Sequence, residues 1–187
     1  MAKILVVYAS DYGNTEKMAN AVAAGVRSVA TGEAVVRKAE EVTADDITAS
    51  DGIVFGSPVH MGSMDWRVKK MIDTVCSGLW MQNLVVGKVG GVFATGSGFG
   101  GAGGGAELTL LSMLNNLVEL GLIVVPLPKN TPGYPKGGMQ WGPYGRSADE
   151  NLQPVGVSDD ALAVARLHGA NIARAADAIR GKEIFAV

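Results

Sequence analysis

The chain has 187 residues, with 16 Lys and Arg against 18 Asp and Glu, which gives a formal net charge of -2. One domain of this length buries roughly 70% of its unfolded surface, so a disulfide-stabilised miniprotein is excluded. The near-neutral charge gives little support to nucleic-acid binding. The longest apolar run near the amino terminus, residues 4–9, is far shorter than the ~20 residues that span a bilayer, so membrane insertion is not expected. Because a lone cysteine, Cys76, suits a reducing compartment, we expect one cytoplasmic domain over residues 1–187.

Strand and helix patterns alternate along the chain. Residues 3–8 form an unbroken apolar run, typical of a strand buried on both faces of a parallel sheet, and the next apolar residues predict a helix over 15–30. The further predicted strands are residues 35–36, 52–56, 89–95 and 122–126, and the further helices carry apolar stripes over 68–75, 108–120 and 159–179. This order predicts an α/β fold, doubly wound, with a five-stranded parallel sheet and helices on both faces.

Two regions break the pattern. Glycine makes up 26 of the 187 residues, about twice the usual share of ~7%. Residues 96–105 alone contain seven glycines, and we interpret them as a loop lying close to a ligand. Residues 127–157 are rich in Pro, Gly and aromatic residues without periodicity. A structureless stretch of that length is usually functional, so we expect it near the site or a subunit interface, where it presents Trp141 and Tyr144.

Ligands of open parallel sheets bind outside the carboxyl ends of the strands, where three loops are candidates. Residues 10–15 can aim hydroxyls and backbone N–H groups at a phosphate, or form an ordinary helix-capping turn. Residues 56–64 can edge a flat ring with backbone amides, or form a simple turn with a surface histidine. Residues 95–101 contain a G-x-G-x-x-G pattern that begins at Gly96, but in the wrong context for a dinucleotide fingerprint.

Other catalytic schemes find little support in the residues. The only histidines are His60 and His168, and His168 is expected on the polar, solvated face of the last helix. We interpret Cys76 as a buried structural thiol rather than a nucleophile. No G-x-S-x-G elbow is present, and we find no metal-ligand spacing. Tyr12 and Trp80 are the aromatic residues expected near the loops, where an aromatic face can stack on a ring. For Trp80 the residues alone favour core packing at a helix end.

A set of short phrases in a fixed order resembles the WrbA type of flavodoxin-like NAD(P)H:quinone oxidoreductases, which bind FMN. The matching phrases are residues 1–13, 55–58, 78–80, 95–98, 121–126, 143–145 and 153–154. The resemblance spans nearly the whole chain. It implies that hydride passes from NAD(P)H to FMN and that both electrons then pass to a quinone at the same site, in ping-pong fashion and without a catalytic side chain.

The resemblance also implies a set of site residues. The FMN phosphate would be held by Ser10, Asp11, Tyr12, Gly13, Asn14 and Thr15, and the isoalloxazine ring would be flanked by Pro58, Val59, His60, Met61, Gly62, Thr95, Gly96, Ser97, Gly98, Phe99 and Gly100. Tyr12 and Trp80 would frame the pocket in which nicotinamide and quinone alternate. The family completes this pocket with a neighbouring subunit, so a homodimer or homotetramer is implied.

The sequence departs from the family at four places. The glycine loop is several residues longer and carries Phe99, and the segment between the second and third strands is shorter, which argues against a tetramer. The usual Pro-Thr-Arg-Phe-Gly reads Pro58 to Gly62 with His60 in place of arginine, and the usual His-His-Gly reads Glu119-Leu120-Gly121. We hypothesise that flavin binding is kept while substrate preference has shifted. Two alternatives stay open: a flavodoxin-type electron carrier that docks on partner proteins, and a flavin-free scaffold or interaction module on the same fold. No basic residue is obviously placed to select NADPH over NADH.

Overall fold

The structure, a computed structural model, describes residues 1–98 and 103–186. Its strands are β1 (Ala2–Tyr8), β2 (Gly32–Lys38), β3 (Gly52–His60), β4 (Ser63–Met64), β5 (Val89–Gly96), β6 (Ile123–Val124), β7 (Gly138–Met139) and β8 (Gly142–Arg146). Its α-helices are α1 (Asn14–Arg27), α2 (Ala44–Thr48), α3 (Trp66–Met71), α4 (Ser77–Trp80), α5 (Ala106–Glu119), α6 (Tyr134–Gly137) and α7 (Asp159–Ile179). A π-helical turn over Ile72–Cys76 joins α3 to α4.

The central strands are parallel in the order β2-β1-β3-β5, and β8 extends this sheet beyond β5. The position next to β5 is shared, because β6 pairs with its amino end and β8 with its carboxyl end. The two short strands β4 and β7 pair antiparallel with β3 and β8. This strand order is that of flavodoxin-like folds, so the predicted class is confirmed. The predicted count of five strands is too low, because the sheet of the described residues has eight, including the short strands β4, β6 and β7.

The prediction for residues 122–157 is partly wrong. Only Ile123 and Val124 of the expected fifth strand pair with β5, and the stretch expected to be structureless contains α6, β7 and β8. The sequence of β8, Gly-Pro-Tyr-Gly-Arg, resembles a loop. The first glycine of β8, Gly142, is required by packing, since a Cβ there would lie 2.2 Å from the carbonyl oxygen of Val92. Close approach to β5, rather than strand propensity, therefore determines this strand.

Alternate side chains of the parallel strands form two cores, one on each face of the sheet. Leu5 and Val7 face the core beneath the helices α3 and α5, whereas Ile4 and Val6 face the core beneath α1 and α7. Within the described residues, no helix is both long and apolar enough to cross a membrane. Helices on both faces are therefore confirmed, and both cores contribute to fixing the carboxyl ends of the strands.

The apolar stripe over residues 108–120 correctly predicts a helix, but two of its leucines lie on the exposed face of that helix rather than in the core. Leu108 and Leu111 are exposed, whereas Leu110, Met113 and Leu117 are buried. Leucines three residues apart drift around a helix of 3.6 residues per turn, so they cannot all face one core. Cys76 is buried as expected, and burial, with the charge of Asp73, raises the pKa of its thiol to about 12.

The prediction for His168 is wrong. The side chain is 0% exposed, and an added Cβ at Gly91 of β5 would lie 3.1 Å from its Nε2. Neither ring nitrogen has a hydrogen-bond partner among the described residues. Burial lowers the pKa of this imidazole to about 4, so it is neutral at pH 7. The buried face of α7 is wider than one apolar stripe, because the helix packs on both α1 and the sheet.

Candidate functional site

A cavity of about 310 Å³ lies at the carboxyl edge of the sheet, where the loops after β1, β3 and β5 meet. Its lining residues are Ser10, Asp11, Tyr12, Asn14, Thr15, Pro58, Val59, His60, Thr95, Gly96, Ser97 and Ser147. The strands end side by side because Tyr8 pairs with Gly56, and Pro58 pairs with Thr95. The structure therefore brings together residues from all three loops singled out in the sequence.

The loop after β1 presents polar groups that have no hydrogen-bond partner among the described residues. Gly13 precedes α1 with a φ of 78°, and no side chain caps the first turn of this 14-residue helix. The Ser10 Oγ is buried and has no hydrogen-bond partner among the described residues. Leaving a buried hydroxyl unpaired costs about 1–3 kcal/mol, and a phosphate oxygen at a helix amino terminus would remove that cost. These donors fit the phosphate of FMN.

One hydroxyl contact joins this loop to β5. The Thr15 and Thr95 Oγ1 atoms are 2.7 Å apart, and both side chains are buried. Since each hydroxyl can donate one hydrogen bond, this pair keeps one donor for another acceptor. The contact fixes the start of α1 against the end of β5, so the two walls of the cavity are held at a defined separation.

The loop after β3 is held by a network of charged side chains centred on Asp65, which caps α3 and is 0% exposed. Asp65 accepts hydrogen bonds from the backbone N–H, Nε and Nη2 of Arg67, at 2.8, 2.9 and 2.6 Å. Burial alone raises the pKa of the Asp65 carboxyl, but the hydrogen bonds and charge of Arg67 outweigh it and hold the pKa below its usual value. Hydrogen bonding to Asp65 also raises the pKa of Arg67.

His60 and Asp11 complete this network at the cavity wall. The Nδ1 of His60 lies 2.9 Å from Asp65 Oδ2, and its Nε2 lies 3.4 Å from Asp11 Oδ2. Arg67 Nη2 is 2.9 Å from Asp11 Oδ1. Ligand atoms of Asp11, His60 and Asp65 lie within 4.8 Å of one another, as a metal would require. Because the Arg67 cation already pairs with both carboxylates, we assign an ion-pair network here rather than a metal site.

Sequence reasoning missed Asp65, Arg67 and Ser147. Asp65 precedes the apolar stripe that begins at Val68, and an acidic helix cap was the available signal. Ser147 follows β8, and its backbone N–H donates to the Gly96 carbonyl at 2.8 Å. The expectation that residues 127–157 approach the site is therefore supported by Ser147, although the sequence had no signal for that residue.

Several predicted residues lie at the margin of the cavity or elsewhere. Gly13 shapes the helix start without lining the cavity, and Met61 and Gly62 form the exposed turn between β3 and β4. Gly98 lines a neighbouring cavity instead. Phe99 and Gly100 lie outside the described residues.

Trp80 is not brought to Tyr12 within one chain. Helices α3 and α4 lead back from the carboxyl edge, and the chain re-enters the sheet at Val89, beside Gly52 at the start of β3. Trp80, 45% exposed, therefore lies toward the amino edge of the sheet, whereas Tyr12 is 90% exposed beside the cavity. Tyr12 lies at the cavity as expected, whereas Trp80 does not line the cavity of its own subunit.

Comparison with known proteins finds the same fold and a full-length relative. Residues 5–93 match the family model for a flavodoxin domain. A NAD(P)H dehydrogenase (quinone) from Syntrophobacter fumaroxidans is 34% identical over 203 aligned positions, covering 93% of this chain and 97% of that protein. This alignment extends well beyond residues 5–93, so the likeness includes the carboxyl-terminal half of the chain.

Two further relatives carry flavodoxin names. A flavodoxin from Aquifex aeolicus is 38% identical over 124 residues, which are 66% of this chain, and the chain spans only 64% of that protein's length. Among solved structures, the flavodoxin, WrbA-like protein from Agrobacterium tumefaciens aligns with a TM-score of 0.70 and 27% identity, covering 95% of this chain and 99% of that one.

Proposed function

The chain belongs to the WrbA-type family of flavodoxin-like NAD(P)H:quinone oxidoreductases, and we propose that it binds FMN and uses NAD(P)H to reduce a quinone by two electrons. The single observation that carries this proposal is the loop after β1, where the buried Ser10 hydroxyl and the uncapped start of α1 are left to an external acceptor. When bound, FMN supplies the redox chemistry, accepting a hydride and passing on both electrons. The side chains bind and orient.

Ser10, Asn14 and Thr15 would hold the phosphate of FMN; their position in the cavity lining at the helix start supports this assignment. Pro58 and residues 95–97 provide the opposite walls, which suit the flat ring. The loop after β3 is preorganised, since Ser57 Oγ donates to the Pro58 carbonyl at 2.7 Å and accepts from the Asp65 N–H at 2.8 Å. A wall fixed before binding lowers the entropy lost on binding.

Arg67 of the ion-pair network would supply the positive charge that the family's arginine supplies and that His60 does not permanently carry. The Arg67 guanidinium lies 2.6 Å from Asp65 and 2.9 Å from Asp11, so a permanent positive charge stands beside His60. It also pairs with the one acidic side chain that lines the cavity, Asp11. This pairing reduces the repulsion that the carboxylate would exert on an anionic phosphate.

A second subunit is part of the proposal. The position of Trp80 toward the amino edge leaves it available to the cavity of a neighbouring subunit rather than its own. We therefore propose a homodimer or homotetramer in which Trp80 of one subunit and Tyr12 of another frame the pocket for nicotinamide and quinone. Tyr12, exposed beside the cavity, has the free aromatic face that such a pocket requires.

Steady-state turnover tests the activity against the electron-carrier alternative. Protein reconstituted with FMN is mixed with NADH or NADPH and a water-soluble quinone, with no reductase added. We expect catalytic reduction of the quinone, with parallel lines in double-reciprocal plots because two substrates alternate at one site. FMN-loaded protein that is reduced only when a separate reductase is present would support the carrier instead. A protein that binds no FMN would favour the scaffold.

A further inference from the structure

A second cavity, of about 530 Å³, lies beside the first and shares none of its lining residues. It is lined by Gly98 and Glu107 on one side and by residues 134–141, Tyr144 and Arg146 on the other. Most of these residues belong to the stretch over residues 127–157, which the sequence analysis predicted to be functional.

The two cavities share a wall. Ser97 and Ser147 line the first, whereas their chain neighbours Gly98 and Arg146 line the second. Gly96 pairs with Arg146 in the sheet, and the Ser147 N–H donates to Gly96 at 2.8 Å. Both cavities therefore lie beside the carboxyl ends of β5 and β8, close enough for two ends of one long molecule to occupy them.

The lining of the second cavity combines aromatic faces with positive charge. Tyr134 and Trp141 are half-buried, which leaves part of each ring open, and Glu107 is the single acidic side chain in the lining. The cations are Lys136 and Arg146. Lys136 Nζ pairs with Asp160 Oδ2 at 2.9 Å on the surface, and such an exposed pair is weak enough to be exchanged for a phosphate. Arg146 Nη2 donates to the Asp149 carbonyl at 2.9 Å, which holds the guanidinium at the rim.

We propose that this second cavity binds an adenosine phosphate, the end of NAD(P)H remote from its nicotinamide. The base would stack on Tyr134 or Trp141, and the phosphates would be bound by Arg146 and Lys136. The inference rests on the proposed function, because it assigns a subsite to the same co-substrate. It gives the stretch from residue 134 to residue 146 a role in binding the electron donor rather than the flavin.

The test is a titration of the full chain with 5′-ADP, followed through tryptophan fluorescence. We expect saturable quenching that is abolished by Trp141→Phe, while Trp66 and Trp80 remain as emitters. Arg146→Gln should weaken binding about tenfold, the effect of losing a charge-assisted hydrogen bond. Lys136→Gln should weaken it less. Lys182→Gln, which removes a charge beside the carboxyl-terminal helix, is the matched control and should leave the affinity unchanged.

The phosphate cradle in the first cavity could itself capture ADP, so Ser10→Ala is measured in parallel. Affinity that is unchanged by Ser10→Ala and lowered by Arg146→Gln supports the second cavity. The reverse pattern, equal affinity in Arg146→Gln and wild type, or no saturable binding at millimolar ADP would overturn the inference. FMN retention is read separately from visible absorbance. Protein that retains FMN but ignores ADP contradicts only the subsite, whereas protein that binds ADP but no FMN contradicts only the proposed function.

Discussion

The loops after β1 and β3 face each other across the first cavity, but their polar groups are satisfied differently. In the first loop, Ser10 Oγ has no hydrogen-bond partner among residues 1–98 and 103–186, and no side chain there caps the start of α1. In the second, Asp65 receives three hydrogen bonds from Arg67 and pairs with His60. The first loop therefore offers donors to an external acceptor, whereas the polar groups of the second loop pair with one another. The difference suggests a division of labour between binding the phosphate and holding the ring wall.

The largest loss of folding stability is expected from breaking the Asp65 network in the loop after β3. Asp65→Ala removes the partner of Arg67 and His60 and the cap of α3, and breaking a buried ion pair costs about 3–5 kcal/mol. Urea unfolding measures the free energy of unfolding. The control is Asp73→Ala, which removes an exposed carboxylate paired with Lys69 and should cost under ~1 kcal/mol. Equal losses in the two variants would show that the network does not stabilise the loop.

His168 sharpens the comparison, because it too lacks a described partner but lies in the core, far from any ligand loop. Its pKa is lowered to about 4 by burial, so between pH 6.5 and 4 the unfolded chain binds a proton that the folded chain does not. Stability should therefore fall as pH drops through this window, by up to about 3 kcal/mol.

Urea unfolding at several pH values between 4 and 7 measures this effect. His168→Leu should remove the slope that His168 contributes, whereas His60→Gln, which changes the exposed histidine, should retain it. Acidic side chains add little to the slope above about pH 5, because the ordinary pKa values of Asp and Glu are about 3.9 and 4.3. An unchanged slope in His168→Leu would contradict a neutral buried imidazole.

A smaller effect is expected where the phosphate loop meets β5. Thr15→Val or Thr95→Val leaves one buried hydroxyl without its partner, which costs about 1–3 kcal/mol. The double variant should lose less than the sum of the single losses, because no hydroxyl is left unpaired. A thermodynamic cycle from urea unfolding measures the coupling. Additive losses would mean that the 2.7 Å contact does not join the two walls.

The sequence predicted the parts of the fold that depend on apolar periodicity and on strand order. The first βα unit, the buried parallel strands and the three ligand loops all followed from it. It could not predict β8, because Gly142 is selected by contact with Val92 rather than by strand propensity. Nor could it predict that His168 is buried, since that depends on the wide contact of α7 with α1 and the sheet.

The candidate site was predictable by loop but not by every residue. Ser10 and Thr15 were found because small hydroxyl residues before a helix suggest a phosphate site. Arg67 was missed because its role depends on folding of the loop after β3, which brings it to Asp11 across 56 residues of sequence. Trp80 was placed near the ligand by analogy, whereas the length of α3 to α4 carries it toward the other edge of the sheet.

The most direct test of the account is an FMN titration of wild type and Ser10→Ala, followed by quenching of flavin fluorescence. Wild type should bind one FMN per chain, and Ser10→Ala should bind it about tenfold more weakly, without loss of folding stability, because the hydroxyl has no described protein partner. Ser77→Ala, which removes an exposed hydroxyl on α4, should match wild type. A wild type that binds no FMN, or a Ser10→Ala variant with wild-type affinity, would contradict the account that this loop exists to hold the phosphate.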